Sequence, residues 1–338
     1  MSVAVNKSPV TALSLCVFVA VAAGSRRQNP QPVLYEETRR AMWTQFEIVA
    51  YGPNRAKLAE AADAAFDEID RLDRQMSNYS ETSDLTYINR NAARVPIAAE
   101  GELFGLLRRS LDISAQTNGA FDMTVGPLMK AWGFFRHQGR VPDNQELASV
   151  MKSVGYSHVS LDEKSRTIRF DRDGVELDLG GIAKGYAVDR AAQILRESGV
   201  ASALITSGSS SIYAIGAPPG EPGWRVDVRD PLDSSKRLSS IVLKDRSIST
   251  SGCSEKTFQL GEKKYCHIMD PRTGRPVDGL LSVTVITATA TEADALSTAV
   301  MVMGLEKAKA FLKLRVDVGA IIYYRDPDGG LASTRLNY

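Results

Sequence analysis

Histidine and cysteine are both scarce in this chain, three of each, and that scarcity excludes chemistry at once. No CxxC pair occurs, so a zinc site built from Cys and His lacks ligands at the required spacing. Neither sign of charge is in excess: Lys and Arg number 41 against 40 Asp and Glu. Without a broad positive field the chain has no means of gathering nucleic acid, and without an acidic surplus it has no disordered acidic tail. Any anion it binds must be held by a local site. Internal repeats and low-complexity tracts are missing too. What remains is an ordinary globular composition, 338 residues of which 43% are apolar, enough for one large or two modest domains.

The one long apolar run stands at the N-terminus. Lys7 precedes about fifteen uncharged residues, Val10 to Gly24, that end in small side chains of the kind a signal peptidase cuts after. A confident membrane span needs ~18 apolar residues, so the run reads as an export signal first and a membrane anchor second. Cys16 lies inside the run rather than behind it, which does not suit lipoprotein cleavage. Export permits a disulfide between the remaining Cys253 and Cys266. However, TFQLGEKKYC reads as a hairpin turning near Gly261, with Phe258 opposite Tyr265 and Cys253 well away from Cys266. Two free thiols are expected.

Along the chain, Ala41 to Tyr51 reads as a strand closed by Gly52-Pro53. Leu58, Ala62, Ala65, Phe66, Ile69, Leu72 and Met76 recur at helical spacing, and a second helix over about 101–117 stops at Asn118-Gly119. The segment 76–90 reads as loop with a short helical turn. GAFDMTVGPLMKAWGF fits no simple period, as site-lining segments often do not. The second half is richer in strands: HVSLDEKSRTIRFD as a hairpin, VELDLG, ASALITSG, WRVDVRD, RLSSIVLKD and LLSVTVITATA. It also holds a helix over AKGYAVDRAAQILRES, two helices over about 291–314, and a final strand VGAIIYYRD. Hairpins mixed with helices predict an α+β fold.

Three segments can carry chemistry. DLGGIAKG, Asp178 to Gly185, matches neither the Walker A spacing nor GxGxxG. Gly180-Gly181 entering a helix beside Lys184 is either a phosphate cradle or a tight turn with a solvated lysine, and these residues leave both readings open. Asp294 and Thr298 lie four apart on one helix face and offer hard oxygen ligands of the sort Mg²⁺ accepts. Thr291-x-x-Asp294 also fits a capping box, and spacing alone favours the cap. His267 sits in KYCHIMDPRTGRPV, before a turn begun by Asp270-Pro271 and closed by Gly274. A neutral imidazole there can accept a proton from an attacking hydroxyl, although a lone histidine is more often structural.

In order, MSNYSETSDLTYINR, GAFDMTVGPLMKAWGF, ELDLGGIAKGYAVDRA, SISTSG, HIMDPRTGRPV and TATEADALSTAVMVMG resemble the ApbE-type FAD:protein FMN transferases. The resemblance runs from about residue 40 to the C-terminus. It implies a T-fold-like α+β architecture with mixed or antiparallel sheets. The implied organisation is a leader over 1–24, a linker over 25–32 and a catalytic region over 33–338, with lobes over about 33–174 and 175–338. The implied activity is Mg²⁺-dependent transfer of FMN from FAD to a threonine hydroxyl, releasing AMP. The implied acceptor is a flavoprotein subunit of a membrane redox complex with a Ser/Thr-Gly-Ala-Thr-like target, reached in the periplasm or on the outer face of the cytoplasmic membrane.

Carried over by position, the metal ligands are the Ala183 carbonyl, the Asp294 carboxylate and the Thr298 hydroxyl, and His267 is the base. Met42, Tyr79, Ala120, Phe121, Asp122, Gly181, Lys184 and Ile268 fall in the FAD pocket. Two departures stand out. Met42-Trp43-Thr44 replaces Met-Gly-Thr, and Thr206 to Ser211 replaces an Asn-x-Gly-Gly-Asp-like stretch, losing a glycine and an acid. The transferase reading leads; the same site residues also suit an FAD pyrophosphatase, in which water replaces the acceptor, and the altered 206–211 stretch keeps a non-catalytic flavin-binding or flavin-delivery protein in view.

Overall fold

Alternation of apolar side chains builds the main sheet. Strand Thr44–Gly52 sends Phe46, Ile48 and Ala50 to one core and Val49 to another, and Ser202–Ser207 divides Ala203 and Ile205 from Leu204 in the same way. Burial on both faces is why FEIVA and ALI read as nearly continuous apolar runs. The computed structural model describes residues 31–136, 138–253 and 257–338, residue 136 by its backbone alone. The leader and most of the linker lie outside the described residues.

Eight strands form this sheet, in the order Val33–Ala41, Thr44–Gly52, Ser202–Ser207, Ser211–Ile215, Arg246–Gly252, Leu280–Thr287, Gly319–Arg325 and Leu331–Leu336. Every neighbouring pair is antiparallel. Helices Arg55–Met76, Ala183–Glu197 and Ala290–Met303 contribute to the larger core on one face. On the other face lies the hairpin Trp224–Arg229 with Arg237–Leu243, whose Trp224, Val226, Val228, Ile241 and Leu243 fill the second core. The α+β expectation holds.

The Arg55–Met76 helix buries the predicted stripe from Leu58 to Met76. Each large apolar side chain there contributes ~1.5–3 kcal/mol. Asn54 caps its start, accepting from the amides of Ala56 and Lys57. Among the described residues, no helix is long and apolar enough to cross a membrane.

Three local expectations are corrected. The strand expected over 41–51 is the second arm of a hairpin, turned by Met42 (φ 49°) and Trp43 (φ 60°). Both central residues of this two-residue turn are left-handed, a geometry that usually advertises itself by Asn-Gly and here does not. VELDLG is extended but belongs to no ladder: Asn89 takes the place of a strand neighbour, exchanging hydrogen bonds with the Leu177 amide and carbonyl at 2.8 and 3.0 Å. Gly319–Arg325 is not the last strand, because Leu331–Leu336 follows and pairs with it.

Helices Ala183–Glu197 and Ala290–Met303 meet at Gly185, where a Cβ would stand 2.2 Å from the Ala290 carbonyl oxygen and 2.8 Å from the Asp294 Cβ. One turn on, Asp189 accepts from the amides of Ala290 and Thr291 at 2.7 and 2.8 Å and binds the Thr291 hydroxyl. This contact settles the capping question. The N-cap of the second helix is Thr289, with Glu292 in its first turn, so Asp294 is not the capping acid. We expect Gly185→Ala to lower stability by about 1–3 kcal/mol, the usual range for overpacking, read as a lower urea midpoint at unchanged m-value.

Candidate active site

A cavity of about 1030 Å³ opens where the start of the Ala183 helix, the end of strand Arg246–Gly252 and the His267 loop converge. That volume is at the upper end for small-molecule sites. All twelve residues expected at the site line it: Met42, Tyr79, Ala120, Phe121, Asp122, Gly181, Ala183, Lys184, His267, Ile268, Asp294 and Thr298.

Asp294 is 2% exposed and is fixed from three elements. The Gly185 amide donates to Oδ2 at 3.0 Å, while Ser249 and Ser210 Oγ stand 3.2 and 3.4 Å from Oδ1. Thr298, one turn along, lies 3.3 Å from Ser251 Oγ, which also touches Ser297 at 2.8 Å. A Cβ on Gly181 would stand 3.4 Å from both Thr298 Oγ1 and the Phe121 ring, so glycine lets helix, loop and hydroxyl close together.

Sequence reasoning does not single out these serines as site residues. Ser247, Ser249 and Ser251 alternate in SISTSG, so they share one face of the strand, and Ser247 and Ser249 are fully buried. Hydroxyls at the inward positions of a buried strand were the available signal.

The phosphate-cradle reading of DLGGIAKG is weakened by where its donors go. The Gly180 amide is taken by Asp178 Oδ1 at 2.8 Å, the amides of Ile182 and Ala183 by the Leu179 carbonyl, and that of Gly185 by Asp294. Lys184 Nζ lies 2.9 Å from the Gly180 carbonyl. The turn cups an acid and commits the amides of Gly180, Ile182, Ala183 and Gly185 internally.

His267 follows immediately on strand Lys263–Cys266. Beyond it the Ile268 carbonyl accepts from the Val277 amide at 2.9 Å, Met269 pairs with Pro276, and the Asp270 carbonyl accepts from the Gly274 amide at 2.8 Å. The turn is the one that Asp270-Pro271 and Gly274 predict, with Gly274 at φ 69°. The expectation of free thiols is wrong: Cys253 and Cys266 form a disulfide, Cα atoms 5.1 Å apart. The hairpin has the expected register, Phe258 facing Tyr265, but Cys253 does not continue that ladder. It directly follows the main-sheet strand Arg246–Gly252 and lies beside Cys266.

Asp122 lies on the wall but uses both oxygens to clamp a loop. Thr124 donates its amide and hydroxyl to Oδ1 at 2.8 and 2.7 Å, and the Tyr156 amide donates to Oδ2 at 2.7 Å. At the rim, Trp43, 71% exposed, meets Tyr79 at 5.3 Å between ring centroids, and Tyr79 stacks on Phe135 at 4.7 Å. The Met42 amide donates to Asp73 at 2.9 Å, which holds the unusual turn in place. The second departure, Thr206 to Ser211, places Ser207, Ser209 and Ser210 on the wall.

The donor set fits a hard divalent cation. Among the described residues no group of three or more His, Cys, Asp or Glu could hold a metal, but Mg²⁺ needs only one or two carboxylates, taking waters and phosphate oxygens besides. Asp294 would supply the carboxylate, with Thr298 and the Ala183 carbonyl beside it. Among the described residues, five aspartates, 73, 122, 178, 230 and 294, line the cavity against two fixed cations, Lys184 and Arg229. A pyrophosphate entering alone would meet net repulsion, which a divalent ion offsets. Ser207 Oγ and Asn78 Oδ1, on the same wall, are buried and have no hydrogen-bond partner among the described residues, a cost that a polar ligand would relieve.

Fold and cavity together define an α+β enzyme with a cleft of dinucleotide size, in which the buried Asp294 carboxylate sits among hydroxyls. The ApbE family model matches residues 42–322, and the chain belongs to the ApbE family. It is 31% identical over 302 residues to an FAD:protein FMN transferase of Escherichia coli K12, covering 85% of each chain. It is similar to the solved ApbE protein of Thermotoga maritima, with a TM-score of 0.83 and 32% identity, covering 90% of this chain and 97% of that one. The flavin transferase ApbE of Vibrio cholerae gives a TM-score of 0.79 at 27% identity, with the same coverage.

Burial pushes the Asp122 carboxyl above the usual aspartate range, against the opposing pull of its hydrogen bonds. The folded chain therefore keeps this proton to higher pH than the unfolded chain, so Asp122 favours folding in acid. That contribution is lost as pH rises from the unfolded value of about 3.9 through the folded one. Asparagine cannot ionise. The urea midpoint of Asp122→Asn, relative to wild type, is expected to rise with pH across this window.

Proposed function

We propose that the protein is a Mg²⁺-dependent FAD:protein FMN transferase that attaches FMN to a threonine of an acceptor flavoprotein and releases AMP. The observation that carries this reading is that His267 and the Asp294–Thr298 pair line one cavity of dinucleotide size. The acceptor hydroxyl attacks the FMN-side phosphorus of FAD, a new P–O bond forms to threonine, and the anhydride P–O bond to AMP breaks. His267 takes the hydroxyl proton; AMP departs as a phosphate monoester and needs no strong general acid. Asp294, Thr298 and the Ala183 carbonyl would hold Mg²⁺, which when bound neutralises charge developing on the phosphoryl oxygens.

Gly181 and Phe121 shape the wall beside Thr298, and the Tyr79 ring offers a flat apolar surface for one ring system of the dinucleotide. Lys184 supplies a positive charge to the phosphates. Export to an oxidising compartment, with the acceptor a subunit of a membrane redox complex, is supported by the apolar run at residues 10–24 and by the disulfide.

The test incubates protein, FAD, Mg²⁺ and a candidate acceptor, and weighs the acceptor by mass spectrometry. A gain of one FMN is expected. AMP release without that gain would make the protein a pyrophosphatase, and intact bound FAD would make it a binding protein. Asp294→Ala should abolish Mg²⁺-dependent turnover while the chain stays folded. His267→Ala should slow transfer by about 10²–10⁴-fold, the span of general-base contributions, with FAD still bound; collapse of FAD affinity would instead make His267 a binding residue.

A further inference from the structure

The disulfide joins two parts of the molecule that hydrogen-bonded ladders leave separate. Strands Thr257–Leu260 and Lys263–Cys266 make a sheet of their own, apart from the eight-stranded one. Aromatic contacts support its outer part, with Phe258 at 5.2 Å from Phe134 and Tyr265 at 5.5 Å from Trp132. At its open end Thr257 faces Cys266, and the next residue is His267. Cys253, for its part, directly follows Gly252, the last residue of strand Arg246–Gly252. In that strand Ser249 touches Asp294 and Ser251 touches Thr298.

We infer that Cys253 and Cys266 are positioning residues, whose crosslink fixes the span between the His267 imidazole and the Asp294–Thr298 cluster. Along the backbone the two cysteines are 13 residues apart, around the whole hairpin. Through sulfur, His267 is one residue from a crosslink whose other end lies two residues from Ser251. Cys266 is 4% exposed, so the crosslink is anchored in the packed interior. On the far side of His267 the Ile268 carbonyl is already tied to Val277. The histidine is thus bracketed, a covalent tie one residue before it and a hydrogen-bonded turn one residue after. Misplacing a reacting group by 1 Å can cost on the order of 10²-fold in rate, so a base on a separate hairpin gains most from such a tie. This inference rests on His267 acting as the base.

The experiment is a double-mutant cycle on the full enzyme, comparing Cys253→Ala/Cys266→Ala with wild type in the presence and absence of His267→Ala. Removing the crosslink is expected to lower kcat for FMN transfer about tenfold or more, with KM for FAD and flavin binding unchanged, the pattern of a lost transition-state interaction. With His267→Ala already present the same removal should change kcat less than about twofold, because coupled residues are non-additive. Dithiothreitol treatment of folded wild type, leaving two protein thiols and a cyclic oxidised reagent, gives the same comparison on a chain that never had to fold without the crosslink. Equal losses on both backgrounds, an unchanged kcat, or loss of FAD binding along with kcat would each overturn the assignment. Wild-type kcat in His267→Ala alone would overturn the base reading, and is distinguishable from those results.

Discussion

The constraint on which the rest depends is the close approach of two helices at Gly185, too tight to admit a side chain, where the Gly185 amide donates to Asp294. Burying a carboxylate is costly unless hydrogen bonds replace its water. Here the amide comes from the start of one helix, one hydroxyl from strand Arg246–Gly252 and another from the turn before strand Ser211–Ile215, so the acid can exist at its depth only when helix, helix and sheet are all in register. Asp189 reinforces this register by holding the first amides of the opposing helix. Fold and site therefore share one constraint. The same packing that closes the larger core aims a carboxylate into the cavity.

Much of this was legible in the sequence because periodic patterns have few interpretations. The stripe from Leu58 to Met76 admits only a one-sided helix, and Asp270-Pro271 with Gly274 admits only a tight turn, which placed His267 correctly. Other features were hidden because their signals are non-local or replaced. The hairpin at Met42-Trp43 carries no glycine or asparagine. The helix cap at Thr289 was masked by a second Thr-x-x-acid pattern two residues later. The disulfide depends on where the chain goes after Gly252, which strand pairing within the next hairpin does not determine. The serines around Asp294 look like ordinary polar strand residues until burial is known.

The two departures from the family pattern have different physical characters. Trp43 keeps the backbone conformation that a glycine would adopt freely, and puts a large ring at the rim against Tyr79. The stretch from Thr206 to Ser211 instead exchanges an acid and a glycine for hydroxyls, one of which reaches Asp294 while another is buried with no partner among the described residues. The first alters the shape of the cavity and the second its polarity.

The order of strands across the main sheet has a consequence for how the molecule assembles. From one edge to the other, the eight strands follow the order of the chain. No strand has to wedge between two that are already paired; each can add to an existing free edge as it becomes available. A chain emerging N-terminus first from a ribosome or a pore can accrete this sheet in one direction, the long excursion from Arg55 to Ala201 folding against it before growth resumes. The sheet is then complete only when the C-terminal strand arrives, and until then its growing edge is the part of the nascent molecule most open to unwanted pairing.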